Sequence, residues 1–520
     1  MKKWICFLLI ICITASVAGC VGKPAEPTTP VDTANTQPPA DADVVLTIHK
    51  ENGNEVVFGV GTELDPHFFP ANVGLSGTAN GVAWTCKEED WALFEQRMAD
   101  MNLKRIRMML LPSWFVIDEN SAKAGIYNWD TAYMQSIEKI LNTAQKLDMK
   151  VNLTMWGVDH GSAEFMREES ASHWVTVPGK AYEELFVSCY ADCIKYLREE
   201  KGYLCISEVT LFNEPNSLYS GNKANEEYCA LCVKMHEAFT AQGIREDVLF
   251  NLSDDARDYI WMAKTLASLE GIIDVANSHI YTYGDTFNAE TQTSNRDMSN
   301  KEICYDLPKY NLNQWKEWTD QYPDIPHIWG EFGSINNGDA NFPTEDRNSP
   351  SRGLDIARIG LNFFNMGSQG MSYWMLFDQD YGESIRPAGR GRIIDMGLWA
   401  FADEGYQCYP VYYAYSMLTR FVEESDMIFP IESDDDNIVA VAFRQGDKWS
   451  YCVVNNGDEA KKVSFVNMDN YPGELNRYVY DEANVPTDNQ VIGSNGKVEA
   501  DGRVITDTVG PRTFVIYTNK

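Results

Sequence analysis

The chain has 520 residues, 44% of them hydrophobic, and a formal net charge of −33. This length allows two or three domains with a sizeable core, and this composition excludes a disordered chain. The strong negative charge repels nucleic acid, and no cluster of Lys and Arg offers a phosphate-binding patch, so we expect no nucleic-acid partner.

The first twenty residues have the pattern of an export signal. Positive charge at Met1-Lys2-Lys3 precedes a short apolar run over 4–13, and small residues then lead to Cys20. The apolar run is too short for a helix that stays in the membrane. The pattern resembles a bacterial lipobox, which implies cleavage before Cys20 and lipidation of that cysteine. We therefore predict a signal peptide over 1–19 and a secreted protein anchored by lipid to the outer face of the bacterial cell membrane. An ordinary signal peptide is the alternative.

The next segment, 20–43, is rich in Pro, Thr, Ala and Asp and has few groups to bury, which predicts a disordered tether. Apolar alternation follows at 44–48 and 55–60, on either side of Asn52-Gly53-Asn54. This pattern predicts a β-hairpin that leads into the main domain or joins the C-terminal one.

The middle of the chain alternates strand-like and helix-like segments. Apolar strand-like runs lie at 105–111, 151–156, 209–212, 249–252, 275–280, 327–329 and 371–376, after a first run near 57–60 or 81–84. Amphipathic stripes separate them, for example over 133–147. Eight strand–helix units predict an α/β fold, a (β/α)₈ TIM barrel that occupies residues 44–422 together with the hairpin.

Loop lengths indicate which end of the barrel carries the chemistry. Connections from a strand to the next helix are long, at 157–179, 282–306, 332–351 and 378–405, whereas helix-to-strand connections are short. This asymmetry is typical of a barrel enzyme with its active site at the carboxyl ends of the strands. From about residue 423 the periodicity changes to two, which predicts an all-β sandwich over 423–520.

Two glutamates follow the fourth and seventh predicted strands. Glu214 lies in Asn213-Glu214-Pro215 and Glu331 in Gly330-Glu331-Phe332. Strands four and seven oppose each other across a barrel mouth, so the two carboxyl groups can face one cleft. Hydrolysis of a glycosidic bond needs such a pair: one carboxyl group donates a proton and the other attacks the anomeric carbon or activates water.

Asn-Glu-Pro after strand four and a glutamate after strand seven resemble the clan A glycoside hydrolases, such as families 5 and 39. The resemblance implies that Glu214 is the acid/base, that Glu331 is the nucleophile, and that anomeric configuration is retained. It also implies that Asn213 binds the sugar 2-hydroxyl group.

Further positions match the same clan. His279 and Tyr281 form its His-x-Tyr pattern on strand six, and the resemblance implies that the tyrosine binds the nucleophile. Trp374 on strand eight matches the tryptophan under the cleaved sugar, and Arg107 on strand two matches an arginine near the nucleophile. After strand three the chain departs from several clan families, because Trp156 stands where they have histidine. We expect Trp156 to stack on a sugar, and Asp159 or His160 to make the polar contact in place of that histidine.

These features predict an extracellular retaining enzyme that cleaves β-glycosidic bonds, with a polysaccharide or oligosaccharide such as a β-glucan or β-mannan as its partner. Exo-action on β-xylosides is left open. A catalytically silent carbohydrate-binding lipoprotein and a transglycosylase are the alternatives. The chain has no HExxH, Walker or glycine-rich dinucleotide motif, so we expect no cofactor and no metal, and we expect a monomer attached to the membrane through its lipid alone.

Overall fold

The computed structural model describes residues 36–49, 53–66, 86–168, 175–283, 312–335, 347–380, 393–394, 396–468 and 473–520. The predicted signal peptide, Cys20, most of the predicted tether and the alternative first strand at 81–84 lie outside these residues. Among the helices of the described part, none is long and apolar enough to cross a membrane.

Eight parallel strands form a closed barrel. They are β2 (Gly59–Glu63), β3 (Arg105–Leu110), β4 (Lys150–Met155), β7 (Ile206–Thr210), β8 (Leu249–Ala256), β9 (Val275–Tyr283), β10 (His327–Ile335) and β11 (Gly370–Tyr373). They neighbour each other in chain order, and β11 closes the ring against β2. The predicted TIM barrel is confirmed, with its first strand starting two residues later than the sequence pattern suggested. Two short strand pairs extend from it, β5 (Val158–Asp159) with β6 (Val175–Thr176) and β12 (Gln379–Asp380) with β13 (Ile393–Ile394).

Helices separate the barrel strands. They are α1 (Glu88–Asp100), α2 (Glu119–Lys123), α3 (Ala132–Lys146), α4 (Glu183–Lys195), α5 (Pro215–Leu218), α6 (Ala224–Gln242), α7 (Tyr259–Ser268), α8 (Leu312–Thr319), α9 (Pro350–Asn365) and α10 (Pro410–Phe421). Helix α3 buries one stripe against the strands, with Ile137, Ile140 and Ala144, whereas α9 is buried on nearly all sides. The side chain of Thr131 caps α3 by accepting a hydrogen bond from the N–H of Met134.

The C-terminal domain consists of two facing sheets. Its strands are β14 (Met427–Ile431), β15 (Ile438–Gln445), β16 (Lys448–Asn455), β17 (Lys461–Asn467), β18 (Glu474–Asp481), β19 (Lys497–Glu499), β20 (Val504–Val509) and β21 (Thr513–Thr518). Six of them form an antiparallel sheet in the order β14-β15-β16-β21-β18-β19. Apolar side chains from this sheet and from the smaller one pack into a separate core.

The segments predicted at 44–48 and 55–60 do not pair as a hairpin, but the first of them joins the C-terminal domain, as the alternative prediction allowed. Strand β1 (Val44–Ile48) pairs in parallel with β17, more than 400 residues later in the chain, and forms the smaller sheet with β17 and β20. Its alternate residues Val44, Leu46 and Ile48 are buried in the core of the C-terminal domain. The Asn-Gly-Asn signal is local, and burial of this apolar face against a distant strand outweighs it.

The other face of the six-stranded sheet packs on the barrel. Side chains of Phe443, Cys452 and Ile516 belong to the same apolar cluster as helices α9 and α10. The hydroxyl of Tyr480 donates a hydrogen bond to the carbonyl oxygen of Pro350, at the start of α9. The six-stranded sheet therefore packs against the smaller sheet on one face and against the barrel on the other.

A buried ion pair lies inside the barrel. The guanidinium of Arg105 binds both carboxylate oxygens of Glu208, at 3.1 and 3.0 Å, and also contacts the Ser372 hydroxyl. Asn251 donates a further hydrogen bond of 2.7 Å to Glu208. All four side chains are fully buried, and they join β3, β7, β8 and β11 at the level below the barrel mouth.

Replacing Glu208 with alanine is expected to lower the free energy of unfolding by about 3–5 kcal/mol, because it leaves the charge of Arg105 buried without a partner. Urea unfolding of the purified variant measures this loss. Glu119→Ala is the matched control, since Glu119 pairs with Lys123 on an exposed helix surface, where such a pair contributes about 0.5 kcal/mol or less. Equal losses for the two variants would contradict the structural role of the buried pair.

Candidate active site

Glu214 lies directly after β7 in an unusual backbone conformation. Its φ of 46° and ψ of 56° place it in the left-handed region, and the short helix α5 begins at the next residue, Pro215. Residues other than glycine adopt this conformation at a cost of about 1–3 kcal/mol, and such residues cluster at functional sites. The sharp change of direction leaves the side chain of Glu214 29% exposed.

Glu331 lies within β10, and its neighbour Gly330 allows close packing there. The N–H of Gly330 donates a 2.7 Å hydrogen bond to Oδ1 of Asn277 on β9. A Cβ atom at position 330 would lie only 2.2 Å from that oxygen. The absence of a side chain therefore lets β10 approach Asn277, and this approach fixes the strand that carries Glu331.

The two carboxyl groups face each other across the barrel mouth. One oxygen of Glu214, one oxygen of Glu331 and a ring nitrogen of His279 all lie within 4.8 Å of one another. Direct attack on a sugar by one carboxylate requires a separation of about 5–5.5 Å, whereas an attack by an intervening water requires roughly 6.5–9.5 Å. The geometry suits direct attack.

Arg107 connects the residues around Glu331. Its Nη1 donates a 2.7 Å hydrogen bond to Oε1 of Glu331 and also contacts Glu63. Its Nη2 donates hydrogen bonds of 2.7 Å to Asn213 and to Asp254. Burial alone would lower the pKa of Arg107, but the surrounding carboxylates raise that pKa well above its usual value. The guanidinium therefore stays charged and positions several strand ends at once.

His279 bridges Glu214 and Asp254. Its Nδ1 lies 3.2 Å from Oε1 of Glu214, and its Nε2 lies 3.1 Å from Oδ1 of Asp254. Burial opposes a charged imidazole, but the charges of Glu331 and Asp254 outweigh burial and raise the pKa of His279 well above its ordinary value. Both ring nitrogens then carry protons, and both donate.

Tyr281 binds the other oxygen of Glu331. Its hydroxyl donates a 2.7 Å hydrogen bond to Oε2, while Arg107 binds Oε1. Burial and the adjacent charge of Glu331 raise the pKa of Tyr281 well above 10, so this phenol remains a donor. Two donors on different oxygens hold the carboxylate in one orientation.

Two predicted tryptophans lie at the same end of the barrel. Trp374 directly follows β11, its peptide bond to Met375 is cis, and its ring stands edge-on to Tyr281 with centroids 6.1 Å apart. Trp156 directly follows β4, and its backbone N–H donates a hydrogen bond to the carbonyl oxygen of Leu110. Both rings are half-buried. Contact of either ring with a sugar stays a prediction.

Three of these buried side chains were not among the predicted site residues: Glu63, Asp254 and Asn277. Asp254 has a φ of 46° and accepts hydrogen bonds from Arg107, His279 and Asn277. Burial favours its neutral form, but the charges of Arg107 and His279 hold the pKa of Asp254 below its usual value. The available signal was the run Ser253-Asp254-Asp255 after an apolar strand, which places carboxylates at a strand end.

Glu63 ends β2 and contacts Arg107. Burial raises the pKa of Glu63 to about 8 against the opposing charge of Arg107, whereas a glutamate in an unfolded chain titrates near about 4.3. Between about pH 4.5 and 8, the carboxyl group of Glu63 is therefore protonated in the folded chain and ionised in the unfolded chain.

Replacing Glu63 with glutamine tests this protonation. Because the folded-state pKa is raised, the parent loses stability as the pH rises from about 4.5 to 8, by at most about 1.4 kcal/mol per pH unit. Glutamine does not titrate. Urea unfolding at pH 5, 6.5 and 8 should show the unfolding free energy of the parent falling relative to that of Glu63→Gln. Parallel pH profiles would show that Glu63 is ionised in the folded protein.

Within the described residues, the three side chains placed to hold a metal ion are Glu214, His279 and Glu331. A protonated ring nitrogen cannot ligate a metal, and His279 already donates to carboxylates on both sides. This arrangement suits proton transfer and carboxylate positioning better than metal coordination.

No family model matches the amino-acid sequence, and no curated protein is significantly similar to it. Solved structures are similar in fold. A GH30 endoxylanase from Clostridium papyrosolvens C71 has a TM-score of 0.61 at 12% identity, covering 92% of this chain and 99% of that chain. The chain has the fold of a glycoside hydrolase.

Two further glycoside hydrolases show the same similarity. A GH39 enzyme from Xanthomonas axonopodis pv. citri has a TM-score of 0.56 at 15% identity, covering 91% of this chain and 96% of that chain. An α-L-arabinofuranosidase from Thermotoga maritima, in an arabinose complex, has a TM-score of 0.60 at 11% identity, covering 91% of this chain and 99% of that chain. The resemblance indicated by the sequence motifs is thus confirmed for the fold.

Proposed function

We propose that this chain is a retaining glycoside hydrolase that cleaves β-glycosidic bonds in polysaccharides or oligosaccharides. The observation that carries the proposal is the pair of carboxyl groups, Glu214 and Glu331, with oxygens within 4.8 Å at the mouth of the barrel. The two groups have different surroundings. Glu331 is 6% exposed and accepts two hydrogen bonds, whereas Glu214 is more accessible.

In the first step, Glu331 attacks the anomeric carbon and forms a C–O bond while the glycosidic bond breaks. Glu214 donates its proton to the departing oxygen, which leaves as an alcohol. In the second step, the Glu214 carboxylate takes a proton from water, and the water oxygen attacks the same carbon. The bond to Glu331 then breaks, so the sugar is released after two inversions with its original configuration.

Arg107 and Tyr281 support this division of roles. They bind different oxygens of Glu331 and stabilise its negative charge before the attack and after its release. Asn213 lies next to Glu214 and is bound to Arg107 at 2.7 Å, so its amide group has a fixed position beside the sugar that the two glutamates would flank.

The anomeric configuration of the first product tests the proposal. The purified chain is incubated with β-glucan, β-mannan, xylan and 4-nitrophenyl β-glycosides, and the anomeric configuration of the first product is followed by proton NMR. We expect a β-configured product that later equilibrates. An α-configured first product would contradict direct attack by Glu331.

The same panel separates the alternative functions. Binding without turnover by both the parent and Glu331→Ala would favour a carbohydrate-binding protein. Transfer of the sugar to an added oligosaccharide in preference to water would favour a transglycosylase. We expect water to be the main acceptor, with the parent active and Glu331→Ala inactive.

We also propose that the enzyme works outside the cell, held at the membrane by lipid on Cys20. The support is the order of charged, apolar and small residues that precedes this cysteine in the sequence. In a bacterial host that receives labelled palmitate, the parent should carry label and Cys20→Ser should not. Equal labelling would contradict the anchor.

A further inference from the structure

Asp65 lies two residues beyond Glu63, on the inner side of the barrel mouth. Glu63 points inward to Arg107, and the next residue, Leu64, is buried in the apolar layer outside the strands. The N–H of Leu64 donates a 2.9 Å hydrogen bond to the carbonyl oxygen of Arg107, so the chain continues alongside β3 here. The charges of Glu63, Glu331 and Arg107 all act on the carboxyl group of Asp65, which places this group close to those side chains.

The carboxyl group of Asp65 is buried without a partner. Its residue is 1% exposed, and neither carboxyl oxygen has a hydrogen-bond partner within the described part of the chain. Burial raises the pKa of Asp65 well above its usual value, and the nearby charges of Glu63 and Glu331 add to that rise. Buried polar groups almost always have partners, because leaving one unpaired costs about 1–3 kcal/mol or more.

We propose that Asp65 is a substrate-binding residue whose two oxygens bind hydroxyl groups of the sugar ring attacked by Glu331. This inference rests on the proposed hydrolase function, because it places the ring beside Glu331. A carboxyl group offers two oxygens side by side, which suits two neighbouring hydroxyl groups.

The test measures binding, so that it does not depend on turnover. Xylotetraose, cellotetraose and mannotetraose are titrated by calorimetry into the Glu331→Gln variant and into the same variant with Asp65→Ala. The tetrasaccharide that binds the single variant should bind the double variant about 10- to 100-fold more weakly. Asp65→Asn keeps the shape and one acceptor oxygen, and it should lose less affinity. Equal affinities for the single and double variants, or no binding by the single variant, would overturn the proposal.

Further ligands separate recognition from a structural role. Deoxy analogues of the bound tetrasaccharide, each lacking one hydroxyl group of the attacked ring, should include at least one for which the difference in affinity between the single and double variants is smaller. Asp65→Ala would be merely structural if it weakened every analogue by the same factor and lowered the melting temperature. If the parent cleaves nothing on the panel above, the hydrolase proposal fails, and these binding results still decide the role of Asp65.

Discussion

Replacing Glu331 with alanine is expected to lower kcat/KM by about 10⁴-fold or more on any substrate that the parent cleaves. No covalent intermediate can form without this carboxylate. Its neighbours cannot substitute for it, because Glu63 and Asp254 both contact Arg107 and are fixed there. Steady-state kinetics on the best substrate of the panel measures the loss.

Azide provides the control for this variant. Alanine at 331 leaves space on the face from which the carboxylate attacks, so added azide can attack the anomeric carbon there. A single displacement inverts configuration, and a β-glycoside should therefore give an α-glycosyl azide. Restored turnover with this product also shows that the variant is folded. A loss below tenfold would contradict the role of Glu331 as nucleophile.

Replacing Glu214 with alanine is expected to have an effect that depends on the leaving group. For natural sugars, the loss of proton donation should lower kcat/KM by about 10²- to 10⁴-fold. For a 2,4-dinitrophenyl glycoside, whose leaving group needs no proton, formation of the intermediate should change little. Rates for the two substrate types, measured with the parent and the variant, give this comparison.

The azide product of Glu214→Ala should have the opposite configuration to that of Glu331→Ala. In the Glu214 variant, azide replaces water in the second step and attacks the intermediate on Glu331, so a β-glycosyl azide forms. An equal loss on both leaving groups would assign Glu214 a structural role. The two variants thus test the division of roles independently.

The carboxylate pair could be predicted because its signals are local. Glu214 and Glu331 each follow an apolar run, and in a parallel barrel the ends of all strands meet at one mouth. His279 and Tyr281 were named from the resemblance to clan A glycoside hydrolases, and they lie in and next to the apolar run over 275–280. For the two glutamates, the position along a strand carried the information, and no long-range contact had to be known.

Glu63 and Asp254 were not predicted, because neither lies in one of the recognised motifs and their contacts with Arg107 join residues that are distant in the chain. The carboxyl groups of Glu63 and Asp254 reach Arg107 across 44 and 147 residues, and nothing near either acidic residue in the sequence specifies that partner. The error at β1 has the same cause. A turn signal favoured pairing with the next segment, whereas the buried face of Val44, Leu46 and Ile48 pairs with β17.

The most direct test of the central claim is to trap the covalent intermediate. The parent is treated with a 2,4-dinitrophenyl 2-deoxy-2-fluoro-β-glycoside of the preferred sugar. The fluorine slows both steps, whereas the activated leaving group speeds only the first, so the intermediate accumulates. After digestion, mass spectrometry should find the added fluorosugar on the peptide that contains Glu331, and Glu331→Gln should remain unlabelled. A label on Glu214 or on another residue would contradict the account, as would turnover of the reagent with no adduct.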